Sequence, residues 1–197
     1  MVITYYGLSC FKVSSGDTVF AIEPFLKESG LTPPRFEAHA VILSSPHPNY
    51  PEEKVFQITG PGEYEFKGIY VKGIKADSKN TIYIIIWEDM RLAHMGNFSQ
   101  KELSSEIQEQ IGTPDILFIP VGGGATIDSE EAVKIINQIE PRIVIPMNYK
   151  KVDEAIRRGN ETAREALKEY KIEQDKRQSE LVGHFIVSKI LDVFSVA

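Results

Sequence analysis

Apolar positions in the first half of the chain fall in short runs separated by turn residues. Residues 3–6, 10–13 and 19–22 are rich in β-branched and aromatic side chains, and Ser14-Ser15-Gly16-Asp17 places a turn between the second and third. A Gly/Pro-rich break follows at 30–34. Residues 40–43 (Ala-Val-Ile-Leu) are then a continuous apolar run of the buried-strand kind, ending in a polar loop over 44–50. The strand series continues over 55–58, 64–66, 69–74, 81–87 and 91–94, punctuated by Gly60-Pro61-Gly62 and Gly68.

The period changes in the second half. Residues 100–111 have helical spacing and run into Gly112 and Pro114, a stop signal. An apolar strand over 115–120 leads into Val121-Gly122-Gly123-Gly124. Asp128 or Ser129 can cap a helix whose apolar residues Ala132, Ile135, Ile136 and Ile139 recur at helical intervals. Residues 142–146 read as another buried strand, 152–170 as a charged surface helix, and 185–193 as a last strand or packed tail. Strands joined to helices in both halves predict layered α+β architecture, in a single domain over 1–197 with a C-terminal helix and tail from 149.

Composition narrows the functional classes. At 197 residues, 42% hydrophobic and 25% charged, the chain can bury a core without disulfides or a structural metal. One cysteine, Cys10, cannot form an internal disulfide, the usage of a reducing cytoplasm. No signal-peptide pattern or membrane-length apolar run is present, so a cytoplasmic protein with no membrane partner is expected. The net charge of −6 disfavours a nucleic-acid partner, because phosphate binding needs clustered Lys and Arg.

Several short signatures then stand in a fixed order: Tyr6-Gly7-Leu8-Ser9-Cys10-Phe11, Ile22-Glu23-Pro24-Phe25, Gly60-Pro61-Gly62-Glu63-Tyr64-Glu65 and Asn80-Thr81-Ile82-Tyr83. They continue with His94-Met95-Gly96-Asn97, Ile119-Pro120-Val121-Gly122-Gly123-Gly124 and Val144-Ile145-Pro146-Met147-Asn148-Tyr149. Together they resemble the lactonase-like branch of the metallo-β-lactamase superfamily, the predicted zinc-dependent hydrolases. The resemblance implies a four-layer αββα sandwich with the metal loops at one edge of two sheets.

It also allows a test of the ligands. The family's principal motif, H-x-H-x-D-H, falls on Ser45-Pro46-His47-Pro48-Asn49-Tyr50, where His47 alone matches. Ser45, Asn49 and Tyr50 replace a histidine, an aspartate and a histidine. The family's His-Asp step falls near Asp77, in a stretch that is shortened before Asn80. Asn97 stands for the bridging aspartate, Asn148 for the closing histidine, and Leu8 for the histidine of the opening motif. An amide in place of a carboxylate removes the charge that bridges two cations, and amide oxygens are poor zinc ligands. Without a metal, no bound water is brought to a pKa of about 7.

The expectation that follows is a catalytically degenerate protein with no catalytic residue, no metal and no cofactor, where the family would use zinc or manganese. Such a chain would work as a binding or assembly scaffold. Ser45, His47, Asn49, Tyr50, Asp77, Asn97 and Asn148 would form a vestigial pocket open to a small-molecule ligand, and a homo-oligomer is the expected partner, as in the resembling branch. The alternative is a metal-dependent hydrolase of small phosphorylated or lactone-like substrates with an atypical site, one metal being held by His47, Asp77 and neighbours. A second alternative is an RNA-binding module, as in the RNA-processing relatives. Cys10 reads as strand packing, His94 as a core residue, and the glycines at 122–124 as a tight strand-to-helix loop.

Overall fold

A computed structural model describes residues 1–29, 33–45 and 55–148. The chain divides into two units, Met1–Asn148 and Tyr149–Ala197, and the second lies outside the described residues. The helix expected over 152–170 and the last strand over 185–193 fall in that outer part.

Two sheets make up the first unit. The five-stranded sheet runs in sequence order through β1 (Val2–Gly7), β2 (Cys10–Ser15), β3 (Thr18–Ile22), β4 (Ala40–Leu43) and β5 (Phe56–Thr59). The six-stranded sheet holds β6 (Gly62–Phe66), β7 (Ile69–Lys75), β8 (Thr81–Trp87), β9 (Met90–His94), β10 (Ile116–Pro120) and β11 (Ile143–Met147), again as sequence neighbours. Pairing is antiparallel where turns are short. It becomes parallel for β3–β4–β5 and β9–β10–β11, where longer connections intervene.

The core lies between the sheets. Phe11, Phe20, Ile22, Ile42 and Ile58 meet Val71, Tyr83, Ile85, Leu92 and Phe118, all buried. Phe11 packs on Phe118 with ring centroids 4.6 Å apart, and Phe20 on Trp87 at 5.1 Å. One polar tie crosses this layer. The Tyr83 hydroxyl, deep in β8, donates to the Leu43 carbonyl at the end of β4, 3.0 Å away. Ile82 and Ile84, facing away from Tyr83, are buried too, the mark of a sheet covered on both faces.

The two helices follow their caps. α1 (Ser105–Ile111) begins after Ser104, whose hydroxyl accepts from the Ile107 amide. The helix expected from residue 100 therefore starts five residues later: a serine side chain that satisfies a first-turn donor fixes the boundary better than apolar spacing does. α2 (Ser129–Ile139) opens with a reciprocal capping box between Asp128 and Glu131, and buries Ala132, Ile135 and Ile139. It packs against β10. An α+β sandwich is thus confirmed. Among the described residues, the five-stranded sheet carries only a single 3-10 turn, Lys27–Ser29, and no α-helix.

Candidate functional site

Parallel strands deliver their C-terminal ends to one edge of the sandwich. β3 leads into Glu23, β4 into Ser44 and Ser45, β9 into Gly96 and Asn97, and β11 into Asn148. Loops at such an edge are where ligands sit in layered α/β structures, because the strand ends splay and leave backbone groups to be satisfied.

The sequence-expected site residues can be placed one by one. Asn97 and Asn148 come together directly: the Asn148 side-chain amide donates to the Asn97 side-chain oxygen across 3.2 Å. Asn148 adopts a left-handed conformation (φ 58°), and its backbone amide donates to the Leu8 carbonyl at 2.8 Å. The residue that stands for a family histidine thus ties the last described strand to the first turn through its backbone amide. Ser45 is half-buried directly after β4. Asp77 is spent on its own turn, its carboxylate accepting from the Lys79 amide at 2.6 Å and the Asn80 amide at 2.8 Å. His47, Asn49 and Tyr50 lie outside the described residues.

The structure adds residues that were not singled out. Asn80 opens β8 at the centre of the edge. Its side-chain oxygen accepts from the Asn97 amide at 2.8 Å, and its side-chain nitrogen donates to the Met95 carbonyl at 3.0 Å. Gly96 (φ 61°) lies so near that a Cβ there would come within 2.4 Å of the Asn80 side-chain oxygen and 2.7 Å of the Ser44 hydroxyl oxygen. Glycine is the residue that fits this approach and this backbone angle. Glu23 completes the group: its carboxylate accepts a hydrogen bond from the Ser44 backbone amide. Burial pushes the Glu23 carboxyl up to about 7, while the Ser44 backbone amide and hydroxyl pull the other way. Asn80 was visible in the sequence as part of a motif, and Glu23 as an acid directly after an apolar run. Neither pattern said that the side chain turns inward.

Other candidates are removed. Burial pushes the Cys10 thiol up to about 12, with the nearby Glu23 adding to the rise, so it stays protonated and is no nucleophile. His94 is buried in the core, with Nε2 3.2 Å from the Ser9 carbonyl and Nδ1 accepting from the Gly96 amide at 3.1 Å. His39 is exposed and accepts from the Val19 amide through Nδ1. Glycines 123 and 124 do form a tight loop, with the Gly123 amide on the Ile127 carbonyl at 3.0 Å.

These donors do not fit a two-metal centre. Among the described residues no three His, Cys, Asp or Glu side chains converge on a point that could hold an ion. The Asn148 side-chain amide instead donates to the Asn97 side-chain oxygen.

The family model for the β-lactamase superfamily domain matches residues 2–148. The chain belongs to that superfamily. The match takes in every described strand and helix and ends on Asn148. A UPF0173 protein from Pyrococcus abyssi is 25% identical over 178 residues, covering 76% of this chain and 83% of that protein. A UPF0173 metal-dependent hydrolase from Methanosarcina mazei is 39% identical over 72 residues, or 36% of this chain and 29% of that protein. Among solved structures, a Thermotoga maritima protein assigned as a zinc-dependent hydrolase of the metallo-β-lactamase superfamily superposes with a TM-score of 0.64. It is 28% identical, and the match covers 75% of each chain.

These relatives correct the expectation of a degenerate scaffold with no metal or cofactor. The Methanosarcina mazei and Thermotoga maritima proteins carry the names of metal-dependent and zinc-dependent hydrolases, and the superfamily is one of hydrolases. The physical reason the expectation misled is that it equated a changed donor set with lost reactivity. Loss of imidazoles at named positions removes particular ligands; it leaves a sheet edge with a carboxyl near neutrality and amides and a hydroxyl around it. Among the described residues, no helix is long and apolar enough to cross a membrane.

Proposed function

We propose that the chain is a metal-dependent hydrolase of small phosphorylated or lactone-like substrates, working at an atypical site on the edge formed by Ser45, Asn80, Asn97 and Asn148. The observation that carries this reading is the superfamily match over residues 2–148, which takes in all four of these positions. The names of the relatives support the reaction class and the dependence on a metal. Neutral amides and a serine hydroxyl offer both donors and acceptors, so they suit a polar, oxygen-rich group such as a lactone carbonyl or a phosphoryl group. They orient it by hydrogen bonds rather than by charge. No catalytic step is assigned to a metal here, because the described donors do not assemble one.

The test is a panel of lactones, phosphomonoesters and phosphodiesters. Untagged protein is assayed as purified, after chelation, and after incubation with zinc or manganese, with metal content measured in parallel. Turnover of one class, lost on chelation and regained with metal, is the expected result. A folded protein that hydrolyses none of the panel in any of the three states overturns the reading.

A further inference from the structure

We propose that the outer edge of β1 is a docking surface for a second copy of this chain, the two strands pairing antiparallel about a two-fold axis at Thr4. β1 borders the five-stranded sheet and is paired with β2; among the described residues, no strand lies along its other side. An edge strand turns a row of backbone N–H and C=O groups outward, and that row templates pairing with another strand unless something blocks it. The other three sheet edges among the described strands are blocked in recognisable ways. β6 carries the exposed acids Glu63 and Glu65, β11 carries Pro146, which has no N–H to donate, and β5 is only four residues long. β1 has none of these guards. It runs for six residues, Val2-Ile3-Thr4-Tyr5-Tyr6-Gly7, without a charge or a proline. Its register with β2 is regular from Val2 to Tyr5 and shifts only between Tyr5 and Gly7.

Side chains along the strand sort by face. Ile3 packs against the core, and the Tyr5 ring lies on Phe11 with centroids 4.9 Å apart. Val2, Thr4 and Tyr6 alternate with them and are exposed, Val2 to 63%. The inner face of β1 is thus anchored, while its backbone edge and outer face meet solvent. A strand held straight by its own core contacts loses little further freedom when a second strand joins it.

The strand is also complementary to itself. Antiparallel pairing centred on Thr4 sets Thr4 against its own copy, Ile3 against the copy's Tyr5 and Val2 against the copy's Tyr6. Thr–Thr and β-branched–aromatic pairs are favourable cross-strand neighbours. Lys12 stands opposite Thr4 on β2. Across the axis the two Lys12 residues are three strand spacings apart, roughly 14 Å, which exceeds the screening length in physiological salt. Each copy spends its unguarded edge on the other, so the pair closes at two chains instead of growing into a fibre.

The test is sedimentation equilibrium of the full chain across the micromolar range, which suits a small contact of six residues a side. The wild type is expected to pass from monomer to dimer as concentration rises. Thr4→Lys and Thr4→Glu each set like charges directly opposite at the axis, and each alone should weaken the dimer at least about tenfold. Mixing the two variants sets opposite charges there and should restore association, a rescue that only a contact of Thr4 with its own copy predicts. Hydrogen exchange on the wild type makes the test independent of how the variants fold: amides within residues 2–6 should exchange more slowly in the dimer than in the monomer. A wild type that stays monomeric throughout overturns the proposal and leaves the edge to an extended segment of another protein. So does a dimer that both variants leave intact, a mixture of the two folded variants that stays monomeric, or a dimer whose β1 amides exchange as fast as the monomer's.

Discussion

His94 ends β9 with its ring wholly inside the core, and Glu23 directly follows β3 with its carboxyl nearly so. Their environments push them in opposite directions along the pH axis. Burial holds His94 down to about 4, the Ser9 carbonyl only partly resisting, so it is neutral in the fold and charged in the unfolded chain below about pH 6.5. Its folded-state pKa is the lower of the two, so unfolded chains bind more protons there, and stability falls as pH drops from about 6.5 to about 4. The loss is about 3 kcal/mol at its limit. Denaturant melts of wild type and His94→Asn across that range check it: the stability gap between them should narrow steadily as pH falls. Glu23 has the reverse sign. Its raised pKa means the carboxyl opposes folding increasingly as pH climbs from about 4.5 through about 7. Both effects depend on burial; no string of neighbours in the sequence contains them. Asn97 and Asn148, in contrast, were legible as site residues, because flanking motifs locate them whatever their environment.

At the scale of the element, caps and close approaches set the boundaries. The Asp128–Glu131 capping box opens α2 and is readable in the sequence as an acid three residues before another. Asp128→Ala should cost about 1 kcal/mol, seen as a lower denaturation midpoint with an unchanged slope. Gly96 is a different kind of determinant. A methyl group there meets the Asn80 oxygen, the Ser44 Cβ and the Ser44 oxygen at 2.4, 2.5 and 2.7 Å, on a backbone already in the left-handed region. Gly96→Ala is therefore expected to destabilise by roughly 1–3 kcal/mol through overpacking and strain. Because those atoms belong to the site, it should also perturb the Asn97 amide, whereas Asp128→Ala should leave Asn97 untouched. Thermal melts and an amide correlation spectrum of both variants separate the two cases. The early start predicted for α1 belongs to this scale too: Leu103 is in helical spacing with Ile107 and Ile111, but the first-turn donors find their acceptor only at Ser104.

For the whole molecule, the two sheets matter less as a container than as a device that brings distant residues to one edge. Asn97 and Asn148 are 51 positions apart and share a hydrogen bond. Tyr83 reaches the Leu43 carbonyl across 40 positions, and Thr81 reaches the Ser44 carbonyl beside it. The metal-dependent hydrolysis proposed for this edge is a property of that assembly, which is why its test uses the full chain and follows chelation and metal readdition together. Expecting no chemistry was an error at this scale. It weighed ligand types position by position, whereas the relatives with hydrolase names show that this superfamily's scaffold is one of hydrolases.

Strand positions along the chain and the positions of the loops followed from local information: apolar runs, Gly/Pro punctuation and helix caps act over a few residues, so a linear reading can resolve them. The motif order carried the superfamily for the same reason, since each signature is a short turn or strand end with its own backbone demand. What only the tertiary structure decided is how those ends meet. That Glu23 turns inward to Ser44 and that Asn80 holds the Asn97 amide depend on desolvation and hydrogen-bond partners distant in the chain, while Asp77 is used up by its own turn. Charge state and side-chain direction come from those long-range contacts, and it is the packing of the two sheets that supplies them.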